Sequence, residues 1–280
     1  MNNLIKNLYI IATPIGNLDD ISSRSILTLQ SVDYIICENI KHSLKLLNKK
    51  GIKKKLLPLH DYNEKKIIDR IVKTSDAQNI ALISDAGSPL ISDPGYNLVK
   101  FFIENNFNIT AIPGPSSVIA ALQISGIPIN NFAFYGFVPK PLSKQKQFFL
   151  RIKEVGLTSI FFVSAKNLNQ SIIFIHEHLA DRDVAICKEI TKLNEKVHRG
   201  LAKNILMQIK EKKIVLKGEF TVVVSGKNNK KKDKINDNLI KTLMALMKKF
   251  NLTEAVKIVH SLTGISKKEV YKMAIKLKND

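Results

Sequence analysis

Ile80-Ala81-Leu82-Ile83-Ser84-Asp85-Ala86-Gly87-Ser88-Pro89 reads as a buried strand that runs straight into a tight loop. Four apolar residues bounded by Gly and Pro are too few for a helix and suit a fully buried strand. Upstream, Asn63–Thr74 carries Ile67, Ile68, Ile71 and Val72 at helical spacing. Downstream, Asp93 is expected to cap a helix whose first residue is Pro94, a favoured place for proline. Asn108–Ile112 is a further strand, followed by Pro113-Gly114-Pro115-Ser116-Ser117 and a helix to about Ser125. Nearer the start, Leu8–Ala12 reads as a strand ending at Thr13-Pro14-Ile15-Gly16-Asn17. A helix from Asp20 to Gln30 follows, capped by Asp19 or Asp20, then strands at Tyr34–Cys37 and Leu56–Leu59. Strands alternating with helices imply an α/β fold with a parallel sheet.

A parallel sheet binds its ligands beyond the carboxyl ends of its strands. The loops at Thr13, Ser84 and Pro113 all fall there. Ser84–Pro89 is small and contains Gly87, so a ligand can approach its backbone closely. Asp85 places a carboxylate suited to a ribose hydroxyl or a sulfonium; a capped turn explains the same residues structurally. Ser116 and Ser117 sit at a helix start, where free amides and hydroxyls suit polar or anionic groups, or merely cap the helix. The Thr13 loop has one glycine, Gly16, and matches neither the dinucleotide fingerprint nor the P-loop.

Past Pro139-Lys140-Pro141-Leu142-Ser143, which reads as a hinge, strands are expected at Thr158–Val163, Asp183–Cys187 and Phe220–Ser225. Helices are expected near Leu168–His178 and Ala202–Glu211. The domain reading is therefore an α/β domain at 1–138, a second α/β domain at 139–226, a Lys- and Asn-rich linker at 227–236 and a helical module at 237–280. In that module, Asn238–Lys249, Thr253–Leu262 and Ser266–Lys278 have the spacing of a helix-turn-helix bundle. Thr253 and Ser266 are the expected N-caps, with a capping box only at Ser266-x-x-Glu269.

The 280 residues carry a formal charge of +20 from 44 Lys and Arg against 24 Asp and Glu. Such a balance favours a polyanionic partner, although a solvated basic surface has the same composition. Cys37 and Cys187, far apart in apolar runs, form neither a disulfide framework nor a zinc site, and no metal is expected. No apolar run reaches a membrane span and no signal peptide leads the chain, so a cytoplasmic protein without membrane contact is expected.

Taken together, Thr13-Pro14-Ile15-Gly16-Asn17-Leu18, Leu59-His60-Asp61-Tyr62-Asn63-Glu64, Ser84–Pro89 with Asp93-Pro94-Gly95, Pro113–Ser116 and Gly136-Phe137-Val138-Pro139 resemble the tetrapyrrole-methylase-like superfamily. Within it they look like the bacterial 16S ribosomal RNA 2′-O-ribose methyltransferases. Glu189-Ile190-Thr191-Lys192, Arg199-Gly200, Lys217-Gly218-Glu219-Phe220 and the helical tail extend the likeness over nearly the whole chain.

The resemblance implies two α/β domains with a cofactor cleft between them, plus a small C-terminal helix-turn-helix-like module. It also implies S-adenosyl-L-methionine as cofactor, a homodimer, and methylation of a decoding-centre cytidine in the 16S rRNA of the small ribosomal subunit. Carried over by motif, Pro14, Gly16, Ser84, Asp85, Ala86, Gly87, Ser88, Pro113, Gly114, Ser116, Ser117 and Phe162 would form the cofactor walls. Asp85, Glu38 and His42 are the catalytic candidates. Lys41, His60, Asn63, Lys166, Lys188 and Arg199 are the candidate RNA contacts. Each histidine or lysine alone has a structural or solvated reading. The sequence departs from the family pattern at Asn39-Ile40-Lys41-His42-Ser43, at Val163-Ser164-Ala165-Lys166-Asn167 and at His198. Lys41 in place of the usual Arg lacks the bidentate fork for phosphate. Two other readings stay open: a methylase of tetrapyrroles or other small molecules, and a non-catalytic RNA-binding protein with a decayed core.

Overall fold

The computed structural model describes residues 6–60, 62–73, 79–227 and 237–279. Asp61, the predicted helix end at Thr74 and residues 228–236 of the predicted linker lie outside the described residues. Contacts divide the chain after Lys227 into two compact units.

The first sheet contains β1 (Asn7–Ile11), β2 (Tyr34–Cys37), β3 (Lys55–Pro58), β4 (Asn79–Ile83) and β5 (Asn108–Ile112). All pairings are parallel, in the order β3-β2-β4-β1-β5. β4 is a central strand, which explains why its sequence is apolar from Ile80 to Ile83 rather than alternating. Its faces still differ. Ala81 and Ile83 pack with Leu29, Leu46 and Leu47 of α1 (Ser23–Ser31) and α2 (Ile40–Lys49). Ile80 and Leu82 pack with Ile67, Ile71, Leu98 and Phe102 of α3 (Glu64–Lys73) and α4 (Tyr96–Glu104).

The second sheet is mixed. β6 (Phe132–Phe137) runs parallel to β7 (Thr158–Ser164). β10 (Glu219–Val224) and β8 (Asp183–Lys188) follow antiparallel, and β9 (Lys196–Leu201) closes the edge, giving β6-β7-β10-β8-β9. One face is covered by α6 (Leu142–Val155), α7 (Ala165–His178) and α8 (Ala202–Lys210). The other is covered by α5 (Ser117–Ser125), which follows the last strand of the first sheet. Val118, Ala121 and Leu122 pack on Ile160, Ala185, Cys187 and Val223. Its buried residues Val118, Ala121, Leu122 and Ser125 lie on one face at helical spacing, and Ile119 on the other face is 48% exposed. α5 thus carries the chain from the end of the first sheet onto the second, and both sheets fall within one compact unit.

Several expectations shift. Leu18–Asp20 forms a single 3-10 turn, and α1 starts later, with Ser22 Oγ accepting from Ser25 N–H at 3.0 Å. Asp19 does not cap it; its carboxylate takes Lys49 and Lys50 at 3.2 and 2.9 Å. Asp93 does not cap α4. The helix begins at Tyr96 behind Gly95, whose φ of 125° cannot be helical. The second sheet begins at β6, ahead of the break read at Pro139. β6 and β9 escaped the sequence reading because glycine and charged residues interrupt their alternation.

The C-terminal unit holds α9 (Asp237–Met247), α10 (Leu252–Thr263) and α11 (Lys267–Asn279) around Leu243, Ala255, Val259, Val270 and Ala274. Asn251, not Thr253, caps α10, in a full capping box with Glu254. Ser266 and Glu269 exchange the second, expected box. Among the described residues no helix is long and apolar enough to cross a membrane.

Gly95 supports a test of backbone strain. A Cβ there would lie 3.1 Å from Leu90 Cδ2, at a φ of 125° that L-residues avoid. Gly95→Ala is expected to cost about 1–3 kcal/mol of stability, seen as a lower thermal midpoint. An unchanged midpoint would refute this strain.

Candidate active site

The three unusual loops meet at one edge of the first sheet. Thr13 and Gly87 exchange backbone hydrogen bonds of 2.8 and 3.0 Å, and Thr13 Oγ1 donates to Ser84 O at 3.0 Å. Gly114 lies against Ala12, where a Cβ would come within 3.0 Å of the alanine methyl. β1 stands between β4 and β5, so its loop is the one both others can reach. Beyond this edge, facing β7 and β10, opens a cleft of about 440 Å³. Asp85, Ala86, Gly87 and Ser88 form one wall. Ser116 and Ser117 at the start of α5 form another, and Phe162, Ser164 and Thr221 of the second sheet a third. Phe162 is held by Phe134 and Phe137, each with ring centroids 5.1 Å away.

Not every predicted cofactor residue lines this cleft. Ser84 is buried and its hydroxyl donates to Gly87 O at 3.2 Å, so it shapes the loop. Pro14 and Pro113 lie outside the lining, and Gly114 opens on a shallower hollow with Ile15 and Ser116. Gly16 serves the packing of β1's loop on the connection between β8 and β9. A Cβ there would meet Lys192 Cγ at 2.5 Å and Thr191 Oγ1 at 2.7 Å. Thr191 Oγ1 also accepts from Asn17 N–H at 3.1 Å.

The catalytic candidates do converge. Asp85 Oδ1 accepts from Asn39 N–H at 3.2 Å and lies 3.7 Å from His42 Nδ1. Asn39 caps α2 by accepting from His42 N–H at 3.2 Å, so this departure from the family pattern keeps a helix start. Glu38, at the end of β2, faces a residue the sequence reading treated only as a cap. That residue, Asp93, lines the cleft, and its Oδ2 is buried with no hydrogen-bond partner among the described residues. Burial, then the Glu38 charge, push its carboxyl up to about 6; Asp85 adds to this and the Ser84 hydroxyl offsets part. The chain leading to it is strained: Leu90 and Ser92 adopt φ of 72° and 74°. Non-glycine residues held there cost of order 1–3 kcal/mol each and cluster at functional sites. The missed signal was Gly95 directly after Pro94, which displaces the helix start and frees Asp93 from capping.

The model of the tetrapyrrole (corrin/porphyrin) methylases matches residues 7–206. Ribosomal RNA small subunit methyltransferase I of Buchnera aphidicola subsp. Baizongia pistaciae is 39% identical, over 96% of this chain and 92% of its own length. The protein of that name from Escherichia coli O157:H7 is 36% identical over 96% and 94%. The chain belongs to the ribosomal RNA small subunit methyltransferase I family. It is thus a methyltransferase, and its site must take a methyl donor. Solved structures share the fold alone. A diphthine synthase superposes with a TM-score of 0.59 at 13% identity, covering 78% of this chain and 89% of its own. The uroporphyrin-III-C-methyltransferase of Thermus thermophilus gives 0.52 at 14%, covering 78% and 94%.

The candidate RNA residues of this methyltransferase divide. Lys41, His60 and Lys166 are exposed. Asn63 holds its own loop, accepting from His60 N–H at 2.7 Å and donating to Pro58 O at 3.0 Å. Lys188 donates to Val215 O at 3.1 Å and lies over the Phe220 ring. Arg199 donates to Ser125 O at 3.0 Å and to Ile124 O, so it caps the C-terminus of α5, where a cation suits the helix dipole. His198 is buried against Gln208 Oε1 at 3.2 Å, and burial holds its pKa below the usual value. Among the described residues no group of three His, Cys, Asp or Glu could hold a metal ion.

The Arg199 geometry sets an expectation opposite to the sequence reading. Arg199→Met should lower the unfolding free energy by about 1.5–3 kcal/mol, the worth of charged hydrogen bonds. The salt dependence of RNA binding should stay unchanged. Wild-type stability with a shallower salt slope would return Arg199 to the RNA.

Proposed function

We propose that this methyltransferase moves the methyl group of S-adenosyl-L-methionine to the ribose 2′-hydroxyl of a decoding-centre cytidine in 16S ribosomal RNA. The observation that carries the reading is the carboxylate pair Asp85 and Asp93 in a cleft with an aromatic wall, in a chain 36–39% identical to proteins named for ribosomal RNA methylation. The cleft suits the cofactor. Its volume falls within the range of small-molecule sites, and most such sites combine an apolar lining with a few convergent polar groups. Phe162 offers an adenine-sized face, the Ala86–Ser88 backbone a close approach, and Ser116 and Ser117 the free donors of a helix start. When bound, the sulfonium supplies an electrophilic methyl to an in-line oxygen nucleophile.

The chain's own residues have three tasks. Phe162 and the Asp85–Ser88 loop fix the donor, since most of the rate of such a displacement comes from positioning. Asp85, tied to Asn39 N–H, orients the reacting groups. Asp93, on the cleft wall, takes the proton of the hydroxyl. A carboxylate raised to about 6 is a stronger base than an ordinary one and is still ionised at neutral pH. The exposed Lys41 and Lys166 supply phosphate contacts. A division into two α/β domains, with β6 counted in the second, the homodimer that the resemblance implies and the cytoplasmic setting that the composition suggests are part of this proposal; light scattering of the purified chain tests the dimer.

The decisive experiment maps 2′-O-methylation on small-subunit RNA from cells with and without the gene. A single methylated cytidine lost with the gene is expected. No transfer to small subunits by a chain that binds the cofactor would sink the reading, and methylation of a porphyrinoid precursor instead would replace it.

A further inference from the structure

Between α10 and α11 lies a groove of about 460 Å³ bounded by Thr253, Val256, Lys257, Lys267, Lys268, Tyr271 and Lys272. We propose that this groove in the C-terminal unit is a second RNA contact, taking single-stranded RNA with a base against Tyr271 and its phosphates on the surrounding lysines. The proposal rests on the reading of the chain as an RNA-modifying enzyme and adds a surface that the catalytic cleft does not include.

Charge complementarity picks the occupant. Four lysines ring the groove, all exposed, and among the described residues no carboxylate lines it. Two acids on these helices are turned to other work: Glu254 closes the capping box of α10, and Glu269 accepts from the Ser266 hydroxyl at 2.7 Å. Lys268 and Lys272 stand one helical turn apart, about 6 Å along the axis, and Tyr271 lies between them in sequence. Gly264, in the left-handed conformation at φ 64°, ends α10 and lets α11 turn back within three residues, which brings Lys257 to the same groove.

The floor decides between duplex and single strand. Val256 is buried beneath, the lysine stems add methylene surface, and Tyr271 is 45% exposed. A duplex presents phosphates and grooves but no free base face. An unstacked base does, and base–aromatic stacking tolerates any sequence. A lysine stem can cover apolar surface while its ammonium stays in water at the rim.

The test uses the full chain, a fluorescein-labelled single-stranded RNA and a duplex of equal length, with anisotropy read across a salt series. The wild type is expected to prefer the single strand. Replacing Lys257, Lys268 and Lys272 together by Gln should weaken binding about tenfold. It should also flatten the salt slope by about 2, at about 0.7 for each lost single-strand phosphate contact. Tyr271→Ala should lose about tenfold at unchanged slope, and Tyr271→Phe should restore it. All four side chains are exposed, so circular dichroism melts should match the wild type. Unchanged affinity and slope in the lysine variant would overturn the proposal. So would a change of solution mass at unchanged RNA affinity, which would give the groove to a second copy. Methyl transfer to small subunits is measured in parallel. If the wild type transfers nothing yet the binding differences hold, the catalytic reading falls and the groove stands.

Discussion

Asp93→Asn is expected to lower the rate of methyl transfer by about 10²–10⁴, the usual worth of a positioned base, while leaving cofactor affinity unchanged. In the wild type the rate should fall on the acid side as Asp93 protonates near 6. The asparagine variant should lose that limb, because nothing at the position titrates. The same substitution should stabilise the fold. Asp93 titrates near 6 in the folded chain against 3.8 for an ordinary aspartate, so the native state binds its proton more tightly than the unfolded chain does. The unfolding free energy contributed by this group is therefore highest below about pH 4, declines as pH rises to about 6, and stays lowered above. At 1.36 kcal/mol per pH unit the ceiling is about 3 kcal/mol, and partial exposure reduces it to about 1–2. Asp93→Asn should thus melt higher than the wild type at neutral pH and alike near pH 4. Lost activity with gained stability is the signature of a group held for function. A variant that keeps its rate and its acid limb would remove Asp93 from the mechanism.

Asp85→Asn is the second large effect. The asparagine keeps a carbonyl acceptor for Asn39 N–H, now 3.2 Å from Asp85 Oδ1, but removes the charge beside His42. Misplacing a reacting group by an ångström costs on the order of 10²-fold, and a loss of that size in kcat is expected. The residual activity carries a second readout. The Asp85 charge helps raise Asp93, so its removal should move the acid limb to lower pH. Glu38→Gln should move it further, because the Glu38 charge is the larger of the two effects. An unmoved limb in both variants would mean that these carboxylates do not share one field.

The loops were legible in the sequence because each follows a strand whose apolar run has no other use. Thr13, Ser84 and Pro113 could be placed at one edge from the rule for parallel sheets alone. Their hydrogen bonds, Thr13 to Gly87 above all, could not, because β1 and β4 are neighbours only through strand order. Asp93 was hidden for a local reason: Asp-Pro imitates a helix start, and only Gly95 at φ 125° shows that the helix begins later. Arg199 and Lys188 read as phosphate contacts because free charge is the default for basic residues. Their partners, the carbonyls of Ser125 and Val215, lie 74 and 27 residues away in sequence.

The sequence by itself determined the alternating α/β pattern, the motif loops, the basic charge and the helical tail, since periodicity and local residue chemistry are short-range properties. The tertiary structure decided which loops touch, that α5 serves the second sheet, and that three carboxylates converge near one cleft. Those are facts of distance between remote residues, and the field that sets Asp93 apart exists only once Glu38 and Asp85 are folded against it.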